Sequence, residues 1–313
     1  MKYDALAIKA LEAKTATYEK EVAKALYDAL TTMRADMSRL YDKFAVNGIL
    51  TNADMSRYNR LANMEKQMLD TLDPALKANL KTIRRLTPEM YKESFYRYEW
   101  ALDNETGLRL IMGLPNKDAI TNNLDNTFDK IALETYGNDA RLLIRKAISA
   151  GLAQGKTLPQ MIKDMKKALN ITNYVASRII RTEAMTARNA GATDVYTRAI
   201  AKGVNGNVFW ISVMDDRTRP TGKKAKGNHR EMDGQARDKN GLFHLALTGE
   251  TARYPGDSDL SAGQRIQCRC TIRFEIDGYS PQLMRTRENG VIPFQNYEEW
   301  YDGRFKVPDK VAI

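Results

Sequence analysis

A chain of 313 residues that is 43% hydrophobic and 28% charged can bury the cores of two or three domains, which excludes a globally disordered polymer. Its net charge of +10 favours an acidic partner, with nucleic acid ahead of a membrane surface. Two cysteines exclude a secreted disulfide framework, and no stretch approaches the ~20 apolar residues of a membrane span.

Met1-Lys2-Tyr3-Asp4 lacks the apolar run of a signal peptide, so synthesis in a reducing cytoplasm is expected. Tyr18, Val22, Leu26, Ala29, Met33, Met37, Leu40 and Phe44 recur at helical steps and should share one helical face. Asn47-Gly48 should end that helix. Thr51 or Asn52 can cap a second helix to about Leu80, and Thr87-Pro88-Glu89 reads as the start of a third. The third helix carries Tyr91, Phe95, Tyr98 and Leu102, an aromatic stripe that reads as core. Asp103 through Gly107 and Leu114-Pro115-Asn116 read as breaks, with helical pattern resuming near Lys117. Gly137-Asn138 should separate two further helices, and Gly155 should end the next. Thr157-Leu158-Pro159-Gln160 has the form of a capping box before a helix from Met161 to Leu169. Another helix is expected from Thr172 to about Lys202.

After Gly203 the pattern changes. Val208 to Val213 is rich in β-formers, and Thr271-Ile272-Arg273-Phe274-Glu275-Ile276 alternates like a half-buried strand. The expected fold class is therefore α+β, with a helical N-terminal two-thirds and a small C-terminal module around a short sheet. Four regions follow: 1–110 of long helices, 111–203 of further helices, 204–278 with the strands, and an aromatic tail at 279–313. That tail holds Tyr279, Tyr297, Trp300, Tyr301 and Phe305.

The rarest residues of the chain, His229, His244, Cys268 and Cys270, all fall within the third region. Two thiolates and two imidazoles make a complete tetrahedral zinc set, so these four are candidate ligands of one structural zinc. If the strand begins early, both thiols of Cys268-Arg269-Cys270 face one side, while a mutual disulfide is awkward at that spacing. The same residues also read as two buried thiols and two loop histidines that never meet. Arg217, Arg219, Lys223, Lys224, Lys226 and Arg230 form an acid-free stretch with Gly222 and Gly227 beside the lysines. Such a loop suits sequence-independent contact with DNA phosphates, or is simply solvated. Asp215, Asp216, His229 and Asp233 could instead hold a divalent ion for phosphodiester hydrolysis, which makes a metal-dependent nuclease the alternative to a non-enzymatic role.

The order Arg181-Thr182-Glu183, Asn189, Trp210, Asp215-Asp216-Arg217-Thr218-Arg219, His229-x-x-Met232-Asp233-Gly234 and Cys268-Arg269-Cys270-Thr271 resembles the phage Mu F-like head morphogenesis family over roughly residues 140–275. The resemblance implies a minor capsid protein of a tailed phage, present in few copies at the portal vertex inside the head and serving assembly, packaging or DNA delivery. It implies portal protein and DNA as partners, with capsid or scaffolding protein as a further contact, and no membrane. One departure is the insertion of Thr221 through Asn228 before the histidine, which enlarges the basic loop.

Overall fold

The structure is a computed structural model that describes residues 2–56, 59–116, 127–213, 217–218, 229–277, 284–286 and 290–292. Its helices are α1 (Lys2–Phe44), α2 (Asn52–Ser56), α3 (Arg60–Thr106), α4 (Thr127–Ala153), α5 (Leu158–Ala201) and the short α6 (Ala262–Arg265). The strands are β1 (Gly206–Ile211), β2 (Phe243–Leu245), β3 (Glu250–Ala252), β4 (Thr271–Ile276), β5 (Met284–Thr286) and β6 (Gly290–Ile292). The protein is α+β, with long N-terminal helices followed by a small strand-bearing module. No described helix is long and apolar enough to cross a membrane.

Three expected helix breaks do not occur. α3 continues through Pro88, α4 through Gly137, and α5 from Leu158 to Ala201 through Thr172. An interior proline costs a helix about 3 kcal/mol, but Leu86, Thr87, Met90 and Tyr91 around Pro88 are all buried. Burial of that face offsets the lost hydrogen bond. Thr172, expected to open a new helix, donates its hydroxyl to the Ala168 carbonyl at 3.1 Å and so stays within the helix. The helix expected from Thr51 or Asn52 to about Leu80 is divided, with α2 ending at Ser56 and α3 beginning at Arg60, and the resumption expected near Lys117 lies outside the described residues. Two other signals hold. Asn47 (φ 51°) and Gly48 (φ 74°) turn the chain after α1, and the Thr157 amide donates to Gln160 Oε1 at 3.0 Å.

The chain forms two compact units, and neither is a continuous stretch. The four regions expected from the sequence run in chain order, whereas the units interleave.

One unit comprises Ala16–Leu86 and Asp125–Ile180. Its core is the buried faces of four helices, among them Val22, Met33 and Met37 of α1, Met68 and Leu72 of α3, Ile144 and Ile148 of α4, and Met161 and Met165 of α5. Polar contacts tie the helices at fixed points. Asn79 Nδ2 donates to Tyr136 Oη at 3.0 Å, and Tyr41 Oη to the Lys156 carbonyl at 2.7 Å.

The other unit comprises Met1–Thr15, Thr87–Leu124 and Arg181–Ile313. In it α3 and α5 cross closely at Gly191. A Cβ there would lie 2.7 Å from the Tyr91 carbonyl oxygen and 3.0 Å from the Phe95 nitrogen. After α3, the buried acids Glu99 and Asp103 accept the amides of Met112 and Leu110, at 2.7 and 2.9 Å. β1 and β4 pair antiparallel, from Gly206 opposite Ile276 to Ile211 opposite Thr271. On its other edge β1 takes up the 234–237 segment, with Trp210 N bonded to Gln235 O at 2.9 Å and Arg237 N to Val208 O at 3.0 Å. β2–β3 and β5–β6 are separate antiparallel pairs. The aromatic residues expected in the tail lie outside the described residues.

Candidate metal centre

The side chains of the site come from two pieces of local structure. Cys268 and Cys270 sit in the extended segment that leads into β4, so residues two apart face the same way. His229 opens the turn at residues 229–234. That turn is held to the end of β1 by Ser212, whose amide donates to Asp233 Oδ1 at 2.8 Å and whose hydroxyl donates to the His229 carbonyl. Trp210, fully buried on β1, packs edge-on against the His229 ring at 5.4 Å and against Phe243 at 5.4 Å. Its Nε1 donates to Ser212 Oγ at 3.2 Å.

The result is a compact trio. His229 Nδ1 lies 3.4 Å from Cys268 Sγ and 3.5 Å from Cys270 Sγ. His229 is 1% exposed and each cysteine 2%, and the three ligand atoms fall within 4.8 Å of one another. Neither cysteine is in a disulfide. The Cys270 thiol is held down at about 4, first by its hydrogen bond with Cys268 and then, against burial, by His229. A buried thiolate beside an imidazole nitrogen and a second sulfur is a donor set that can hold a soft or borderline metal ion.

A polar face of α5 fixes the cysteine segment. Thr182 Oγ1 accepts the Gln267 amide at 3.1 Å, and Thr186 Oγ1 donates to the Gly256 carbonyl at 2.7 Å. Asn189 Nδ2 donates to the carbonyls of Pro255 (2.8 Å) and Cys270 (3.0 Å), while its Oδ1 accepts from Thr271 Oγ1 at 3.1 Å. Glu183 takes Arg265 Nη2 on both carboxylate oxygens, at 3.0 and 3.1 Å, in a buried ion pair. The Arg181-Thr182-Glu183 and Asn189 positions singled out in the sequence are thus the surface on which the cysteine segment is moored.

Of the four expected ligands, the structure brings together His229, Cys268 and Cys270. His244 does not join them: it is exposed on β2, with Nε2 2.8 Å from Asp238 Oδ2. Among the described residues no carboxylate belongs to the metal-capable group. Of the four residues considered for hydrolysis, Asp233 is engaged with the Ser212 amide, His229 faces the two thiols, and Asp215 and Asp216 lie outside the described residues. In the basic stretch Arg217 is exposed and Arg230 partly buried, while Arg219, Lys223, Lys224 and Lys226 lie outside the described residues. Sequence reasoning missed Ser212 and Gln264. Gln264 Oε1 sits 2.9 Å from His229 Nε2 and is 1% exposed.

Residues 143–273, which contain the whole trio and its α5 mooring, match the family described as Phage Mu protein F like protein. Minor head protein GP7 of Bacillus phage SPP1 is 28% identical over 294 residues, covering 90% of this chain and 91% of that protein. NAD(+)--arginine ADP-ribosyltransferase EFV of Enterococcus faecalis is 26% identical over 261 residues, covering 82% of this chain. The chain spans about half the length of that second relative, 51%. No solved structure matches. Through residues 143–273 the chain is similar to the phage Mu F-like family, and over nine-tenths of its length to a minor head protein.

Proposed function

We propose that this chain is a minor head protein of a tailed phage, seated at the portal vertex inside the capsid. It contacts DNA through phosphates and assists assembly, packaging or delivery. The observation that carries the reading is the likeness to the SPP1 minor head protein, which extends over nine-tenths of both chains and so takes in the long helices as well as the cysteine module. The long helices supply protein–protein surface toward portal and capsid or scaffolding protein, and Arg217, Arg219, Lys223, Lys224, Lys226 and Arg230 supply the phosphate contacts. The trio of His229, Cys268 and Cys270 holds one structural zinc, which staples a module whose sheets are only two-stranded.

The reading is non-enzymatic. The likenesses to GP7 and to the transferase each cover more than four-fifths of this chain, so they overlap over most of it. What this chain has in common with the transferase is therefore largely what it has in common with a head protein, and half of the transferase lies outside the match.

Co-expression with the portal protein of the same genome, followed by native mass spectrometry, tests the assignment. A stable complex of defined stoichiometry is expected. A chain that stays free of portal under conditions where portal rings assemble overturns the portal assignment.

A further inference from the structure

Three distances and one hydrogen bond around the trio define more than a cluster of possible ligands. Zinc–sulfur bonds of about 2.3 Å and zinc–nitrogen bonds of about 2.0–2.1 Å at tetrahedral angles place neighbouring sulfur and nitrogen ligands about 3.5 Å apart. The two sulfur–nitrogen distances in the trio are 3.4 and 3.5 Å. Ser212 Oγ lies 3.6 Å from Cys270 Sγ, a third edge of the same length. The Ser212 hydroxyl gives its proton to the His229 carbonyl and accepts the Trp210 indole N–H and the Cys270 thiol hydrogen, so loss of that hydrogen on metal binding frees the oxygen lone pair that faces Cys270.

The ring of His229 is committed in the matching sense. Gln264 Oε1 is an acceptor at 2.9 Å from Nε2, so Nε2 carries the proton and Nδ1 presents its lone pair to the two sulfurs. Gln264 is itself immobilised, because the next residue of α6, Arg265, is locked onto Glu183 and the Gln267 amide onto Thr182. With both cysteines bound as thiolates, a divalent ion leaves a neutral cluster, which removes the Coulombic objection to full burial. Two sulfur donors and one imidazole favour zinc over magnesium or calcium, which take oxygen ligands.

We propose that Cys268 Sγ, Cys270 Sγ and His229 Nδ1 are three corners of a tetrahedral zinc centre, that the Ser212 hydroxyl stands at the fourth, and that Gln264 is the positioning residue that fixes the ligating tautomer. This rests on the reading of the trio as a zinc site and is independent of the portal assignment.

The experiment is a cobalt(II) titration of the full chain, with zinc in competition against a chromophoric chelator. The wild type is expected to bind one ion per chain, with the sulfur-to-cobalt absorption of two thiolates and the intense visible bands of tetrahedral cobalt. Gln264→Met, which keeps the volume and loses the acceptor, should bind about 10–100-fold more weakly with the same sulfur-to-cobalt intensity. Gln264→Glu, which restores an acceptor, should recover most of the affinity. Ser212→Ala should displace the visible bands. A wild type that takes up neither ion overturns the zinc site itself. Full-strength binding by Gln264→Met overturns the positioning role alone, as does failure of Gln264→Glu to bind within tenfold of wild type if the Met variant does not fold. Visible bands unmoved in Ser212→Ala overturn the fourth corner alone.

Discussion

At the scale of single residues, burial decides what a polar side chain costs. Asp4 on α1 is buried, with Tyr196 Oη 3.4 Å from its Oδ1, and burial lifts its carboxyl from 3.8 to about 7, with the amino terminus opposing the rise. A carboxyl whose folded value is raised favours the folded state most when protonated. That contribution is complete below about 3.8 and is lost as pH climbs through about 7. Asp4→Asn should therefore stabilise the protein at pH 8, be close to neutral at pH 4, and flatten the fall in melting temperature between pH 5 and pH 8. Parallel melting curves for wild type and variant across that range would show that Asp4 titrates normally. The metal trio shows how far single residues were legible. Rarity drew attention to His229, His244, Cys268 and Cys270, and three of them do converge. His244 is as rare, but its Nε2 is engaged by Asp238 close by in sequence, and rarity carries no information about partners in space. Gln264 and Ser212 left no signal, because glutamine and serine are common and their roles depend on a ring orientation that only the folded chain defines.

At the scale of elements, the helical periodicity was correct and the punctuation less so. The apolar stripe of α1 and the β4 strand stand where the sequence put them. Pro88, Gly137 and Thr172 read as breaks because local propensity is all that a sequence exposes, whereas buried faces on both sides of Pro88 and Thr172 carry their helices through. The opposite lesson comes from Gly191, in the interior of α5, where a glycine weakens the helix by about 0.5–1 kcal/mol relative to alanine. Its place is explained by the α3 backbone alongside. Gly191→Ala should gain helix propensity and still lose stability, by about 1–3 kcal/mol, because the added methyl meets the Tyr91 carbonyl and the Phe95 nitrogen, which cannot rotate away. Urea unfolding checks this, and a variant as stable as wild type would mean that the crossing is looser than 2.7 Å implies.

At the scale of the whole molecule, a charge of +10 and the basic stretch from Arg217 to Arg230 underlie the proposed contact with DNA. Binding to duplex DNA of random sequence should weaken as salt rises. Replacing Lys223, Lys224 and Lys226 by alanine together should reduce the slope of log affinity against log salt by roughly 0.9 for each phosphate contact removed. An unchanged slope in fluorescence anisotropy titrations would move the contact to another surface. Composition made this reading available, but the interleaving of the two compact units could not be read from it. That arrangement arises because α1, α3 and α5 each run from one unit into the other, which no local pattern announces.

The interleaving also sets an order in time. The segment Met1–Thr15 leaves the ribosome well before Arg181–Ile313, which belongs to the same unit. At synthesis rates of about 5–20 residues per second, the apolar side of that first segment, with Ala7 and Leu11, waits on the order of tens of seconds for its companions. Ala16–Leu86 and Asp125–Ile180 can meanwhile come together while the strand-bearing module is still being made. The newborn chain can thus form its helical half while its early turns are still uncovered, a window in which a chaperone or an assembly partner can engage it before the fold closes.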